Sequence, residues 1–146
     1  MAHSKFFAFD AATGLVKRDV GLAALTSTGY VGTQWDQGAA ALTDAICVVN
    51  VESIVTAGAT GETYVLRIVG SNLANRSDGE TLAVAELGSG TTLSVETRST
   101  IATDRAVIRF RTEKNETKFR YVDLHMTVAG TAPSIAFNAY ISKEIG

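Results

Sequence analysis

Two histidines and one cysteine are the side chains in this sequence suited to nucleophilic or acid–base work near neutral pH. His3 stands close to the N-terminus. His125 sits in an alternating run, Tyr121 to Val128, on the same side as Asp123 and Thr127. Residues two apart on a strand share a face, so His125 with Asp123 is the chain's nearest approach to a base and its orienting carboxylate. No serine or cysteine nucleophile accompanies the pair, and a solvated or subunit-facing strand position accounts for His125 better. Cys47 lies in the apolar stretch AICVVNV with no cation beside it to lower its pKa, which reads as a core thiol. Gly88-Ser89-Gly90 is a turn with no helix after it, so it cannot cradle a phosphate. Asp36, Asp44, Asp78 and Asp104 fall one to a loop, whereas a calcium loop gathers its oxygens within about twelve residues. The expectation is therefore no catalytic residue, no cofactor and no metal.

Charge is the other chemistry on offer. Arg105, Arg109, Arg111, Lys114, Lys118 and Arg120 crowd one stretch, with Glu113 and Glu116 at its tip. Arg109 and Arg111 share a strand face, and an antiparallel partner strand would bring Arg120 beside them. Such a face is either self-paired in solvent or a docking surface for an acidic protein. Nucleic acid is the weakest reading, because the net charge is −2 and few aromatics are interleaved.

The elements that carry these groups read as strands. Apolar Val122, Leu124, Met126 and Val128 alternate with polar residues, and Ile135, Phe137, Ala139 and Ile141 do so again after Ala129-Gly130-Thr131-Ala132-Pro133. Two alternating runs around a Gly- and Pro-containing loop predict an antiparallel hairpin over 119–141. Its outer face would show Tyr121 and Tyr140. Upstream, 25–35 predicts an irregular edge strand. Strands are also predicted over 45–55, 63–69, 81–87, 92–97 and 106–112, separated by turn signals at Asp36-Gln37-Gly38, 56–61, 70–79 and 88–90. About eight or nine short strands at this spacing predict an all-β antiparallel sandwich or jelly roll. Residues 1–24 read as an extended N-terminal arm carrying Phe6, Phe7 and Phe9, and residues 25–146 as the sandwich domain.

A chain of 146 residues fits one domain with a real core. At 46% apolar and 19% charged it is no disordered polymer. A lone cysteine rules out an internal disulfide. No apolar run approaches the ~18 residues of a membrane span, and the N-terminus lacks the apolar core of a secretory signal. An intracellular product with no membrane partner is the expectation.

The order of the pieces carries a resemblance. LTSTGYVGTQWDQG is followed by AICVVNVESI and ETYVLRIVGS, and the chain then reaches RFRTEKNETKFRYVDLHMTVAGTAPSIAFNAYI. Over roughly residues 25–142 this resembles the capsid cement (head decoration) proteins of tailed bacteriophages, and RYVDLHMTVAGTAPSIAFNAYI above all resembles their C-terminal hairpin. The resemblance implies a jelly-roll structural protein, made in the host cytoplasm and added to the capsid exterior of the virion. It implies a homotrimer that clamps the major capsid protein, with no direct nucleic-acid contact. Exposure logic then nominates Tyr121 and Tyr140 for the trimer contact. It nominates Phe6, Phe7 and Phe9 with Arg109, Arg111 and Arg120 for the shell. The competing readings are another phage structural protein of tail or head-completion type, and a carbohydrate-binding sandwich using Tyr30 and Trp35 as a platform.

Overall fold

The structure is a computed structural model describing residues 6–8, 14–55, 62–88 and 105–145. Ten strands make up its regular structure, and no helix occurs among the described residues. They are β1 (Phe6–Ala8), β2 (Val16–Arg18), β3 (Gly29–Ala41), β4 (Asp44–Ile54), β5 (Thr63–Ser71), β6 (Glu80–Gly88), β7 (Arg105–Arg111), β8 (Glu113–Lys114), β9 (Thr117–Ala129) and β10 (Ile135–Ile145). The predicted run 92–97 and the loop 56–61 lie outside the described residues, as do His3, Phe9 and Asp104.

Period-two alternation decides which side of each strand is buried. β7 alternates exposed and buried residues without a break, so Ala106, Ile108 and Phe110 point inward. Cys47, Val49 and Val51 do the same on β4, and Tyr64, Leu66 and Ile68 on β5. On β9 and β10 the inward sets are Val122, Leu124, Met126 and Ile135, Phe137, Ala139, Ile141. These residues form one core between two antiparallel sheets, and the chain is an all-β sandwich.

Sheet I has the order β1-β10-β4-β7, with β2 also on β10; sheet II has the order β3-β9-β5-β6, with β8 on β9. The pairs nest: β5 with β6, β4 with β7, β3 with β9, β2 with β10. The chain is thus one long hairpin centred on β5 and β6. It is rolled so that β10 also meets β4 and β9 also meets β5. Eight principal strands in that order are a jelly roll.

The predicted hairpin over 119–141 is not formed. Both of its strands exist, but β9 lies in sheet II and β10 in sheet I. Residues 130–134 turn the chain from one sheet to the other. The Tyr64 hydroxyl braces this corner, donating to the Val55 carbonyl at 2.7 Å and accepting from the Ser134 N–H at 2.9 Å. Alternation specifies that a strand has one buried face; it does not specify the partner. A tight hairpin does occur nearby, between β8 and β9. Asn115 and Glu116 both take positive φ, 49° and 66°, as a two-residue turn of this hand requires.

Strand β3 is an edge strand, as its glycines predict, but it runs through the Asp36-Gln37-Gly38 turn signal and not up to it. Val31 faces Leu124 and Trp35 faces Val122, so 32–34 bulge out against Asp123 alone. A second bulge lies between Asp36 and Ala41. Gln37 satisfies freed groups there, donating to the Phe119 carbonyl at 2.8 Å and accepting from the Thr43 hydroxyl at 2.7 Å.

The segment read as an arm contributes to the sheet. β1 pairs Phe6, Phe7 and Ala8 with Ile145, Glu144 and Lys143, and β2 pairs with Tyr140 and Ala139. Leu15 is 1% exposed and belongs to the core.

Candidate functional site

The polar cluster nearest to a reactive centre lies where β2, β3 and β9 meet. Asp123 is 1% exposed, and its carboxylate is fully engaged. Oδ2 accepts from Arg76 Nε at 2.9 Å and from Gln34 Nε2 at 2.8 Å; Oδ1 accepts from Arg76 Nη2 at 2.9 Å. The guanidinium of Arg76 also lies 4.2 Å over the Tyr30 ring, and Tyr30 meets His125 edge-on at 4.8 Å. Asp123 is thus committed to Arg76 and Gln34, and it does not serve His125 as an orienting base. Burial, helped by the Arg67 charge, holds His125 below the usual imidazole range. Cys47 is fully buried, and burial pushes its thiol up to about 12, which suppresses thiolate chemistry. Of the two aromatics of the sugar-platform reading only Tyr30 is exposed, at 44%. Trp35 is in the core at 2% exposed, and one face of Tyr30 is covered by Arg76.

Lys17 is the residue that sequence reasoning missed here. Read as part of a charged break, it is 2% exposed. Its ammonium donates to the Thr33 carbonyl at 2.7 Å and the Val122 carbonyl at 3.2 Å, joining the edge of sheet I to sheet II. The β3 bulge frees the Thr33 carbonyl for this role. Burial lowers the Lys17 pKa from 10.5 to about 8, against the opposing pull of Asp123. The unfolded chain therefore holds a proton that the native state has lost between those values, and stability rises with pH across that window. Above about pH 9 the Cys47 thiol acts the other way, because the native state keeps its proton while the unfolded chain releases it. Denaturant midpoints should accordingly show wild-type stability rising by roughly 1 kcal/mol from about pH 7.5 to about pH 9. Lys17→Met should abolish that rise; parallel profiles for the two proteins would refute the assignment.

The predicted basic face is divided. β7 pairs with β4 and not with β9, so Arg109 and Arg111 project from sheet I while Arg120 projects from sheet II. Arg120 grips Asp36 with both arms, at 2.8 and 3.0 Å, and lies 4.9 Å over Tyr121. This hydrogen bond from Arg120, ahead of one from the Gly38 N–H, holds the Asp36 carboxyl below its usual range. Arg111 Nε donates to Asp44 Oδ1 at 2.9 Å. Arg109 is exposed. Tyr121 and Tyr140 are likewise separated, one on the outer face of each sheet.

The outer face of sheet I carries the most organised surface. Val16 faces Tyr140, Tyr140 faces Val48, and Val48 faces Val107. That register lays one apolar rung across four strands. Val48 is only 5% exposed although it points away from the core, whereas Val107 is 41% exposed at the edge. A polar rung lies to one side. There Asn50 donates to Asn138 at 2.9 Å and accepts from Arg105 Nε at 2.7 Å. Ser142, Ile46 and Arg109 form the rung on the other side. A groove of about 390 Å³ opens beside Tyr140, walled by Val16, Arg18, Asp19 and Val20 over Asn138. The sequence signal for this face was the valines 48 and 107, apolar residues standing where their strands' polar sides should be.

Comparison with known protein families, characterised proteins and solved structures finds no match to this chain. No cluster of three or more histidine, cysteine or acidic side chains suited to a metal ion occurs among the described residues.

Proposed function

We propose that this is a structural virion protein that binds the outside of a bacteriophage head and stabilises the shell as a homotrimer, with the major capsid protein as its partner. The observation that carries the reading is the outer face of sheet I, whose apolar rung is flanked on one side by a hydrogen-bonded Asn138–Asn50–Arg105 rung and on the other by Ser142, Ile46 and Arg109. An apolar centre with a polar rim is the anatomy of a protein–protein contact. The resemblance of residues 120–141 to head decoration proteins supports the same reading, although here that stretch is divided between the two sheets and does not pair as a hairpin. A shell under outward pressure from packaged DNA gains from many modest clamps, since a trimer engages several subunits at once. The role requires no catalysis.

The test is co-sedimentation of the purified protein with expanded heads that lack it. Saturable binding, followed by heads that survive more heat, supports the proposal. Protein that stays in the supernatant at every concentration, with heads no more stable, refutes it. Rings of six or twelve that bind tail or connector parts would favour a tail or head-completion role.

A further inference from the structure

We propose that the free edge of β7 accepts an acidic extended segment of another protein, which adds to sheet I as an antiparallel strand. The proposal does not depend on the head-binding reading.

Backbone register opens this edge. The Thr112 N–H donates to the Thr43 carbonyl at 3.1 Å, and β7 then pairs with β4 without a bulge, from Arg111 on Asp44 to Arg105 on Asn50. Hydrogen-bonded pairs alternate along an antiparallel ladder. Ala106, Ile108 and Phe110 therefore direct their backbone groups at β4, while Arg105, Val107, Arg109 and Arg111 direct theirs away from it. Among the described residues no strand pairs with that outer side of β7. A row of N–H and C=O groups left open in this way is a template for another strand.

The side chains select the occupant. The residues with outward backbone groups are also the exposed ones of β7. Arg111 is answered by Asp44, which accepts its Nε–H at 2.9 Å, and by the Glu113 charge. Arg105 Nε donates to the neutral Asn50 at 2.7 Å, and among the described residues neither Arg105 nor Arg109 forms an ion pair. Two unneutralised cations thus stand about 13 Å apart on one strand face. Val107 lies between them, 41% exposed. A strand laid opposite complements this row with acid, apolar and acid residues at alternate positions. Its main chain supplies the hydrogen bonds and its carboxylates the selectivity. The same cations exclude a second copy here, because antiparallel pairing of two β7 strands about Val107 would set Arg105 against Arg109 twice. Nucleic acid offers charge but no alternating N–H and C=O groups to match the edge.

The experiment measures binding of labelled, end-blocked seven-residue peptides to the full chain. In the first peptide, glutamates at the second and sixth places flank a central valine among threonines. It should bind saturably, more weakly at high salt, and slow hydrogen exchange at the Val107 and Arg109 amides. N-methylation of its central valine removes a donor that faces β7 and should weaken binding by about tenfold or more. N-methylation of a neighbouring threonine, whose N–H points away, should cost less than about threefold. Arg109→Glu should weaken binding by about tenfold or more, and should favour the peptide with lysines in place of both glutamates. Arg109 is exposed, so an unchanged thermal melt keeps lost binding distinct from lost fold. No binding of the first peptide overturns the proposal. So does equal binding of the two N-methylated peptides, which would mean charge attraction without strand addition. A thymidine oligonucleotide that binds as tightly and displaces the peptide would make the surface a general polyanion site, and would overturn it too. Heads coated equally by wild type and Arg109→Glu would leave the head-binding reading standing whatever the peptides do.

Discussion

Replacing Asp123 with alanine should cost about 3–5 kcal/mol of stability, because it strips the counter-charge from a buried cluster. The carboxylate is the acceptor for both Arg76 and Gln34, and the Lys17 ammonium lies within reach of its charge. Without it, the Arg76 guanidinium loses its paired hydrogen bonds, and the turn between β5 and β6 is left with the Asn72 contacts to Lys118 and Arg120 as its side-chain ties to β9. That turn holds Arg76 at a φ of 63°, a left-handed value that costs a side-chain-bearing residue some strain, and its own backbone bonds from Arg76 to Leu73 and from Gly79 to Arg76 help to sustain it. Lys17 would feel burial without the opposing pull of Asp123, so its pKa should fall below about 8 in the variant. Denaturant unfolding at neutral pH measures the first effect. The pH at which stability begins to rise reports the second. A double-mutant cycle with Arg76→Ala separates the pair from the rest; coupling near zero would show that Asp123 matters only through packing.

Gly32→Ala is the second large effect expected, about 3 kcal/mol or more. Gly32 has a φ of 73° at the start of the β3 bulge, and a Cβ there would lie 1.9 Å from the Lys17 carbonyl oxygen. The obstacle is backbone, so no rotamer change relieves it, and β2 must move away. Its movement would pull Lys17 from the Thr33 and Val122 carbonyls. Gly38 provides the control. Its φ is 84°, but a Cβ there meets nothing within 4 Å. Gly38→Ala should therefore cost only the conformational penalty, about 1 kcal/mol. Melting curves of the two alanine variants give the comparison; equal losses would mean that the contact with β2 is not what makes Gly32 necessary.

Both effects sit at places that the sequence did not mark. Lys17 stands beside Arg18 and Asp19 and looks like surface. It is buried because a bulge in β3, three residues against one, turns the Thr33 carbonyl toward it. Arg76 and Asp123 are far apart in the chain, and nothing in either neighbourhood announces the pair. Trp35 looked available for binding and lies in the core, since β3 continues past the turn signal that would have exposed it.

What the sequence determined by itself was the local state of the chain and the side of each strand that turns inward. The alternation at β4, β5, β7, β9 and β10 fixed their buried faces, and the spacing of turn signals fixed an all-β sandwich of about eight principal strands. These are properties of neighbours two residues apart, and sequence contains them directly. Which strand pairs with which was decided only by the tertiary structure. β9 and β10 follow one another yet belong to opposite sheets, and this one fact separates Tyr121 from Tyr140 and Arg120 from Arg109 and Arg111. The same pairing aligns Val16, Tyr140, Val48 and Val107, from four distant segments, into a single rung. A half-buried strand satisfies its alternation beside any partner, so the choice rests on how all the inward faces close around one core.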